Sequence, residues 1–216
     1  MKLQLALDRL TDNECREILE DTIEAVDWIE VGTGVIKEYG MDIVRNIRSR
    51  YPDAVIVADM KTCDAGEHEA VQAFKAGADI TTVMAYSADQ TITDMVDVSR
   101  EYNTRVMVDL LGVTEQERIH ELERLGVDLV SLHFGKDMQK SGSMDQSLFD
   151  LVKNSSMEVA VAGGINLHSL PDVLPHRPDT LIVGGAITKQ KDRKKAAKQI
   201  KEAIKHYETY NTHRCT

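Results

Sequence analysis

Three charged residues follow one short apolar run at a spacing that could support chemistry. A run of β-branched residues at positions 55–57 leads through an alanine into Asp59, Lys61 and Asp64. Such a run predicts a strand that is buried on both faces, as the strands of a parallel sheet are. In α/β folds the carboxyl ends of these strands carry the chemistry, because side chains from several strands meet there. Two carboxylates and an ammonium at that place could bind a polar ligand and offset its charge.

Glu30 and Asp59 predict a carboxylate pair, because they lie in neighbouring predicted strands. Oxygen ligands with little histidine favour Mg²⁺ over zinc, and Mg²⁺ commonly takes one or two protein carboxylates with substrate oxygens and water. The alternative is that Lys61 neutralises both acids without a metal. We favour the metal, because Lys61 also has Asp8 and Asp64 as candidate partners, which would keep its ammonium charged. The sequence therefore predicts Glu30 and Asp59 as magnesium ligands.

Two glycine pairs follow the last two predicted strands. Gly163 and Gly164 come directly after the seventh strand, and Gly184 and Gly185 after the eighth. Barrels commonly bind phosphate after these two strands, where backbone amides reach the ligand. The alternative is that all four are ordinary turn glycines. Two such pairs at these positions favour a phosphate-binding site.

Other predicted strands also end in ionisable residues. The first ends at Asp8, the fifth at Asp109 and the sixth at His133. A single strand-end acid often only caps the following loop, and a histidine ending an apolar run is often a buried structural residue. Several ionisable groups on one rim are nevertheless costly to desolvate unless they pair with each other, a metal or a ligand. Since an imidazole exchanges protons near neutral pH, His133 is the candidate general acid or base.

Short apolar strands alternate with amphipathic helical stretches eight times along the chain. The predicted strands lie at residues 3–7, 28–31, 54–59, 80–84, 105–109, 127–133, 159–162 and 181–183. The predicted helices lie at residues 13–26, 40–50, 66–76, 90–102, 114–125 and 146–154, at a short stretch after Asn166, and at 192–207. An irregular polar loop at residues 135–143 precedes the sixth of these helices.

This alternation indicates parallel strands joined by right-handed crossovers. Eight such units predict an α/β protein with a closed (β/α)₈ barrel of the TIM type. The barrel forms one catalytic domain at residues 1–207, followed by a polar tail at 208–216 that is expected to fray. The alternative is a doubly wound open sheet. In a closed barrel all strand ends converge on one face, whereas in an open sheet they spread along a line, so the clustered polar strand ends favour the barrel.

Size, composition and charge limit the classes of function. The chain has 216 residues, of which 42% are apolar, enough for one large domain with a sizeable core. The net charge of −10 argues against nucleic acid and anionic membranes as partners, because both need a positive surface. Cys15, Cys63 and Cys215 are widely spaced and predict neither a disulfide framework nor a thiolate zinc site. With an early acid, and no apolar run approaching about 18 residues, the cytoplasm is the expected compartment.

The motif at residues 59–64, Asp-Met-Lys-Thr-Cys-Asp, resembles the Asp-x-Lys-x-x-Asp motif of the orotidine 5′-monophosphate decarboxylase suprafamily. Further segments are similar to the branch that contains 3-hexulose-6-phosphate synthase and 3-keto-L-gulonate-6-phosphate decarboxylase. They are 5–8 (Leu-Ala-Leu-Asp), 30–33 (Glu-Val-Gly-Thr), 76–79 (Ala-Gly-Ala-Asp), 160–165 (Ala-Val-Ala-Gly-Gly-Ile) and 183–187 (Val-Gly-Gly-Ala-Ile). The resemblance extends from Met1 to about Ile204.

The resemblance implies a metal and a site shared between two subunits. It implies a homodimer in which Asp64 reaches the partner's active site, with Mg²⁺ held by Glu30 and Asp59. It also implies phosphorylated sugar substrates, a cis-enediolate intermediate, and a histidine at the position of His133 for either activity of the branch. Together with the residue types, it makes His133, Lys61, Asp64 and Asp8 the candidate catalytic residues, with Asp109 and Lys136 as secondary candidates.

Details separate the two activities of the branch. Ala162 and Gly185 stand where the decarboxylase uses a threonine and an arginine around the phosphate, whereas the synthase has small residues there. Lys136 stands where the decarboxylase carries an arginine. Further departures from the synthase pattern are Gly34 and Ala85. We expect the synthase reaction, a reversible joining of formaldehyde to D-ribulose 5-phosphate through an enediolate; the alternatives are decarboxylation of 3-keto-L-gulonate 6-phosphate and non-catalytic sugar-phosphate binding.

Overall fold

Eight parallel strands close into a barrel in the order of the sequence, with the last strand paired to the first. The structure is a computed structural model that describes residues 1–140 and 146–212. The predicted (β/α)₈ barrel is confirmed, and the open-sheet alternative is wrong. The strands are β1 (Lys2–Leu7), β2 (Trp28–Val31), β3 (Val55–Thr62), β4 (Ile80–Met84), β5 (Arg105–Asp109), β6 (Leu129–His133), β7 (Glu158–Ala162) and β8 (Thr180–Val183). Part of the predicted polar loop, 141–145, and the end of the predicted tail, 213–216 with Cys215, lie outside the described residues.

Helices follow the strands and cover the outside of the barrel. They are α1 (Asp12–Thr22), α2 (Thr33–Tyr39), α3 (Asp42–Arg50), α4 (Gly66–Lys75), α5 (Asp89–Tyr102), α6 (Gln116–Arg124), α7 (Leu170–Val173), α8 (Gly185–Thr188) and α9 (Arg193–Thr212). The helix predicted at residues 146–154 is instead a 3₁₀ helix at Gln146–Leu151.

The helix predicted at residues 40–50 is in fact two helices, α2 and α3. Gly40 has a φ of 64°, a left-handed conformation that ends α2 and that glycine adopts without strain. The next helix, α3, begins at Asp42. A glycine predicted to start a helix therefore terminates one, and the missed helix α2 carries Thr33, which contacts the site described below.

Alternation along the strands divides the core into two parts. Leu3 and Leu5 of β1 belong to the larger part, which packs between the strands and the helices. The inside of the barrel holds a smaller apolar cluster of Trp28, Val57, Ile80, Met107, Leu129, Ala160 and Ile182. Because every second side chain of a strand points to the same face, Glu30, Asp59 and Asp109 stand on the inner face just beyond this cluster. The same alternation that places apolar residues in the middle of the barrel therefore places these three acids at its carboxyl end.

The last helix, α9, continues to Thr212, so part of the predicted polar tail is helical. Near its start, Arg193 lies 3.8 Å from Glu17 and 3.7 Å from Asp21, both on α1. These ion pairs fasten the last helix to the first. Within residues 1–140 and 146–212, every helix is too short or too polar to span a membrane.

Candidate active site

A bulge near the end of β3 brings two charged side chains to the barrel mouth. The pairing of β3 with β4 shifts register between Ala58 and Thr62. Lys61, inside this bulge, has a φ of 49°, a left-handed conformation that costs a residue with a side chain about 1–3 kcal/mol. Its backbone N–H donates to Thr82 Oγ1 at 2.8 Å. The strained backbone is therefore held in place from β4, and it points the ammonium of Lys61 back toward Asp59.

The ammonium of Lys61 bridges two carboxylates across the mouth. Its Nζ lies 3.2 Å from Asp59 Oδ1 and also pairs with Asp109 Oδ2 on β5. Burial disfavours the charged ammonium, but the negative charges of the two aspartates outweigh this effect, and the pKa of Lys61 is raised. The lysine therefore stays protonated and supplies a fixed positive charge at the mouth.

Asp109 also holds the imidazole of His133, whose Nδ1 lies 2.8 Å from Asp109 Oδ2. The other oxygen of this carboxylate accepts the backbone N–H of Leu111 at 2.9 Å. Burial opposes ionisation of Asp109, but the hydrogen bonds from His133 and Lys61, together with the positive charge of Lys61, outweigh it, and the pKa of Asp109 is lowered. An ionised carboxylate can only accept hydrogen bonds, so Nδ1 carries a proton and Nε2 is left for a substrate. Asp109, predicted only as a secondary candidate, joins the imidazole to the ammonium.

Glu30 lies beside this network on the inner face of β2. It is 8% exposed, and Gln4 Nε2 donates to its Oε2 at 2.5 Å. Burial, and then the charge of nearby Asp59, raise the pKa of Glu30 to about 8 against the hydrogen bond from Gln4. These two buried carboxylates repel each other, and a bound divalent cation would offset that repulsion.

The oxygens of Glu30 and Asp59 suit a hard cation. Among the described residues, no group of three or more His, Cys, Asp or Glu side chains is placed to hold a metal. A metal at this pair would therefore take its remaining ligands from substrate and water, as Mg²⁺ commonly does. Thr33 Oγ1 and Thr82 Oγ1 each donate to Asp59 at 2.8 Å and orient it. Lys61 pairs with Asp59 yet leaves the pKa of Glu30 raised, so the lysine alone does not compensate for both acids.

Both predicted partners of Lys61 are exposed, and neither forms an ion pair with it among the described residues. Asp8 is exposed after β1, where it pairs with Arg9 at 3.0 Å and accepts the backbone N–H of Gly34 at 3.0 Å. Asp64 is exposed beyond the end of β3. Within one subunit the bulge directs the ammonium of Lys61 across the mouth to Asp59 and to Asp109 on β5, so neither Asp8 nor Asp64 of the same chain pairs with it among the described residues. The approach of Asp64 to a partner's site stays a prediction.

The two glycine pairs come together at the mouth, because they follow the neighbouring strands β7 and β8. Gly163 and Gly164 have φ values of 119° and 71°, a conformation that favours glycine. A Cβ at position 163 would also lie 2.3 Å from a backbone oxygen of the loop after β6. Gly184 precedes α8, which begins at Gly185. The loops after β7 and β8 thus offer backbone without side chains at neighbouring positions of the mouth, as a phosphate site made of backbone amides requires.

Two lysines lie close to these glycines. The Cδ and Cε of Lys189 lie 3.6 and 3.7 Å from where a Cβ of Gly185 would be. Lys136 Nζ donates to Gln139 Oε1 at 3.2 Å, and that oxygen lies 3.9 Å from where a Cβ of Gly164 would be. Each glycine pair therefore has an ammonium nearby, which suits a phosphate dianion. Lys136 is among the predicted candidates, whereas Lys189 is not, because four-residue α8 is too short to show a periodic pattern.

Three uncharged residues support the site and escaped prediction from the sequence, namely Gln4, Thr33 and Thr82. A signal exists for two of them, because Gln4 and Thr82 are polar residues at inward-facing positions of mainly apolar strands. Thr33 could not be placed, since the helix that carries it was not predicted. Each of the three donates to a carboxylate of the mouth.

Comparison with known proteins identifies the family. Residues 1–200 match the family described as Orotidine 5'-phosphate decarboxylase / HUMPS family. The chain belongs to this family. The resemblance seen in the charged motif and in the glycine segments is thereby confirmed over nearly the whole barrel.

Members of both branches of the family resemble this chain along its length. The 3-hexulose-6-phosphate synthase of Bacillus subtilis (strain 168) is 36% identical over 207 residues, which cover 94% of this chain and 99% of the relative. A crystal structure of 3-hexulose-6-phosphate synthase from Salmonella typhimurium has a TM-score of 0.93 at 33% identity, with 96% of this chain and 100% of that chain covered. The 3-keto-L-gulonate-6-phosphate decarboxylase of Vibrio cholerae O1 biovar El Tor has a TM-score of 0.86 at 26% identity, with 95% and 98% covered. The barrel is common to both branches, and the sequence is more similar to these synthases.

Proposed function

We propose that this protein is a 3-hexulose-6-phosphate synthase, a lyase of the aldolase type. It joins formaldehyde to D-ribulose 5-phosphate through an enediolate, and it catalyses the reverse reaction. The observation that carries the proposal is the identity of 36% and 33%, along nearly the full length, to two proteins of that name. The barrel alone would not carry it, since one fold supports many reactions.

The residues around the glycine pairs support the synthase over the decarboxylase. Ala162 and Gly185 are the small residues that the resemblance implies for a synthase. In place of the arginine implied for the decarboxylase at position 185, the side chain of Lys189 lies against Gly185. The two activities would thus hold the phosphate with different cations.

His133 and Asp109 form the acid–base group of the proposed reaction. With Nδ1 held by Asp109 at 2.8 Å, the free Nε2 takes a proton from C1 of ribulose 5-phosphate. The enediolate carbon then attacks the carbonyl carbon of formaldehyde, and the formaldehyde oxygen becomes the new hydroxyl. The protonated His133 returns its proton to that oxygen, so the imidazole ends each turnover as it began.

Positive charge at the mouth stabilises the enediolate as it forms. Glu30 and Asp59 are the residues that would hold Mg²⁺, and the bound ion supplies a Lewis acid to oxygens at the carbonyl end of the sugar. Lys61, kept protonated by Asp59 and Asp109, adds a fixed ammonium on the same side. These groups are held in place before the substrate arrives, so little reorganisation opposes the reaction.

The glycine pairs bind the phosphate at a distance from the reacting carbon. Backbone amides of the loops after β7 and β8, with Lys136 and Lys189 nearby, supply charge and hydrogen bonds to the dianion. Binding energy from this remote group aligns C1 with His133.

The proposal includes a homodimer in the cytoplasm, with Asp64 reaching the partner's site. Asp64 and Cys63 are exposed beyond β3, and Tyr86 beside them is 66% exposed, so this rim is open to a second subunit. Cys15 and Cys63 are free thiols, as expected in a reducing compartment. The net charge of −10 disfavours nucleic acid as a partner, but it leaves room for a small phosphorylated sugar, whose site can be local and made of backbone amides.

The experiment that tests the function follows formaldehyde in the presence of D-ribulose 5-phosphate. We expect formaldehyde to disappear with Mg²⁺ present, to persist after a chelator is added, and to disappear again when Mg²⁺ is restored in excess. A parallel reaction with 3-keto-L-gulonate 6-phosphate measures CO₂.

Two outcomes would overturn the proposal. Release of CO₂ without consumption of formaldehyde would make the protein a decarboxylase of the same family. Absence of turnover with either substrate, together with binding of the sugar phosphates, would make it a non-catalytic sugar-phosphate-binding protein.

A further inference from the structure

Gln4 is a wholly buried amide inside the barrel, next to the proposed metal site. Gln4 is 0% exposed, and it lies opposite Trp28 in the pairing of β1 with β2. Its Nε2 donates to Glu30 Oε2 at 2.5 Å. Its Oε1 is buried and has no hydrogen-bond partner among the described residues. The amide thus makes one strong polar contact, and that contact is to Glu30.

This arrangement is unfavourable for stability alone. A buried oxygen without a hydrogen bond costs about 1–3 kcal/mol, and an apolar side chain of similar length would avoid that cost. Thr180 on β8 is the other described residue with a buried, unpaired side-chain oxygen. The inner wall of the barrel therefore accepts an energetic cost at Gln4, and the contact with Glu30 is its evident compensation.

We propose that Gln4 is a positioning residue for Mg²⁺. Its amide donates a hydrogen bond to Oε2 of Glu30 and leaves Oε1 of Glu30 available to the metal. Among the described residues, Oε1 of Glu30 receives no hydrogen bond. A carboxylate held through one oxygen presents the other in one direction, as the outer partners of metal ligands generally do. Asp59 is held differently, through both oxygens, because Thr33 donates to its Oδ2 and Thr82 to its Oδ1. The role of Gln4 depends on the proposed function, since Glu30 is a ligand only if that function holds.

The test measures the affinity of the whole protein for Mg²⁺ alone, by isothermal titration calorimetry, in Gln4→Met and Gln4→Asn. Methionine keeps the length without the polar atoms, and asparagine keeps the amide but is one methylene too short to reach Glu30. We expect each change to raise the Kd for Mg²⁺ by about 10- to 100-fold. The rise of Tm with added Mg²⁺ becomes smaller in proportion. In the formaldehyde assay the Mg²⁺ concentration for half-maximal rate rises, while kcat at saturating Mg²⁺ stays near that of the wild type.

Thr180→Val is the matched control, because it removes the other unpaired buried oxygen of the described chain and leaves Glu30 its donor. We expect it to keep the wild-type Kd for Mg²⁺. In a Glu30→Gln background, Gln4→Met should weaken Mg²⁺ binding no further, since the carboxylate it positions is gone.

Several results would overturn the role of Gln4. They are a wild-type Kd in folded Gln4→Met, an equal loss in Thr180→Val, and a further loss in the Glu30→Gln background. Failure of the wild type to bind Mg²⁺ would overturn the metal site and the role of Gln4 together. Formaldehyde consumption that is insensitive to chelator would then leave the synthase activity standing.

Discussion

Charged side chains lie at both ends of the barrel, and the two ends expose them to solvent to different extents. We call the group at the amino-terminal end the floor cluster; it consists of Lys2, Arg105, Asp128 and Glu158. We call the group at the carboxyl end the mouth cluster; it consists of Glu30, Asp59, Lys61, Asp109 and His133. The floor side chains are 29–67% exposed, whereas the paired side chains of the mouth are 3–24% exposed.

Strand β5 shows the contrast within one element. Arg105 and Asp109 lie on its inner face at opposite ends, with Met107 of the inner apolar cluster between them. Arg105 makes ion pairs at 3.1 and 3.2 Å near solvent, and such pairs contribute about 0–1 kcal/mol. Asp109 is buried, and a buried charge costs several kcal/mol in desolvation that pairing offsets only in part. The mouth is where the barrel accepts an unfavourable arrangement, as functional sites do.

Removal of the imidazole from the mouth cluster should have the largest effect. We expect His133→Ala to lower kcat in the formaldehyde assay by about 10²- to 10⁴-fold, because the group that moves the C1 proton is lost. The control is His120→Ala on the surface of α6, where the ring lies 3.6 Å from Glu123. Its kcat should match the wild type. Full turnover in His133→Ala would favour a different acid–base group or a different reaction.

Neutralising one aspartate in each cluster tests whether the mouth cluster serves catalysis and the floor cluster does not. Asp109→Asn keeps the shape of the side chain but breaks the link between Lys61 and His133, and we expect kcat to fall by about 100-fold. Asp128→Asn makes the same chemical change in the floor cluster, where the carboxylate is 67% exposed. We expect it to leave kcat unchanged. Equal losses in the two variants would remove the distinction between the clusters.

The two glutamates of the clusters should respond to pH in opposite directions in metal-free protein. Burial and Asp59 raise the pKa of Glu30 from 4.5 to about 8, so the folded state binds that proton more tightly than the unfolded state. The Glu30 contribution to the free energy of unfolding therefore falls as pH rises from about 4.5 to about 8. Partial burial opposes ionisation of Glu158, but Arg105 and Lys2 outweigh it and lower its pKa. The Glu158 contribution is present above its ordinary pKa of 4.5 and is lost as pH falls below it.

Urea unfolding with chelator present, at about pH 3, about pH 5 and about pH 8, measures both signs. Glu30→Gln should gain stability relative to the wild type between pH 5 and pH 8. Glu158→Gln should lose up to about 1 kcal/mol relative to the wild type at pH 5 and pH 8, and this loss should become smaller at pH 3, where the wild-type carboxylate is protonated as well. A Glu30→Gln variant whose stability follows the wild type at pH 5 and pH 8 would show that the pKa of Glu30 is not raised in the folded protein.

The floor cluster should give the smallest effect. Arg105→Met removes both ion pairs of the arginine and keeps an apolar stem of similar length, so we expect unfolding by urea to lose at most about 1 kcal/mol. That loss should shrink in high salt, which screens exposed charges, and kcat should be unchanged. A loss of several kcal/mol, or of activity, would show that the floor is as constrained as the mouth.

Local properties of the sequence determined the barrel fold of this protein and the types of residue at its mouth. Apolar runs of strand length, separated by helical stretches, predicted the closed barrel, because such runs must be covered on both faces. The polar residues that end those runs predicted Glu30, Asp59 and His133 for the mouth, and two glycine pairs predicted the loops after β7 and β8. These features are readable because each depends on a residue type and its near neighbours. Helix boundaries were less readable, as Gly40 shows, because a glycine can end one helix close to the start of another.

Only the tertiary structure decided which of these residues touch. Lys61 has Asp64 close to it in sequence, yet it pairs with Asp109, 48 residues away. The left-handed backbone of Lys61 and the register shift in β3 determine this pairing, and no local sequence pattern predicts either of them. Gln4 reads as an isolated polar residue in an apolar strand, and its contact with Glu30 exists only because β1 and β2 are neighbours in the closed barrel. Residue type and periodicity are properties of the chain, whereas a hydrogen bond depends on positions in space that strand register and barrel closure determine.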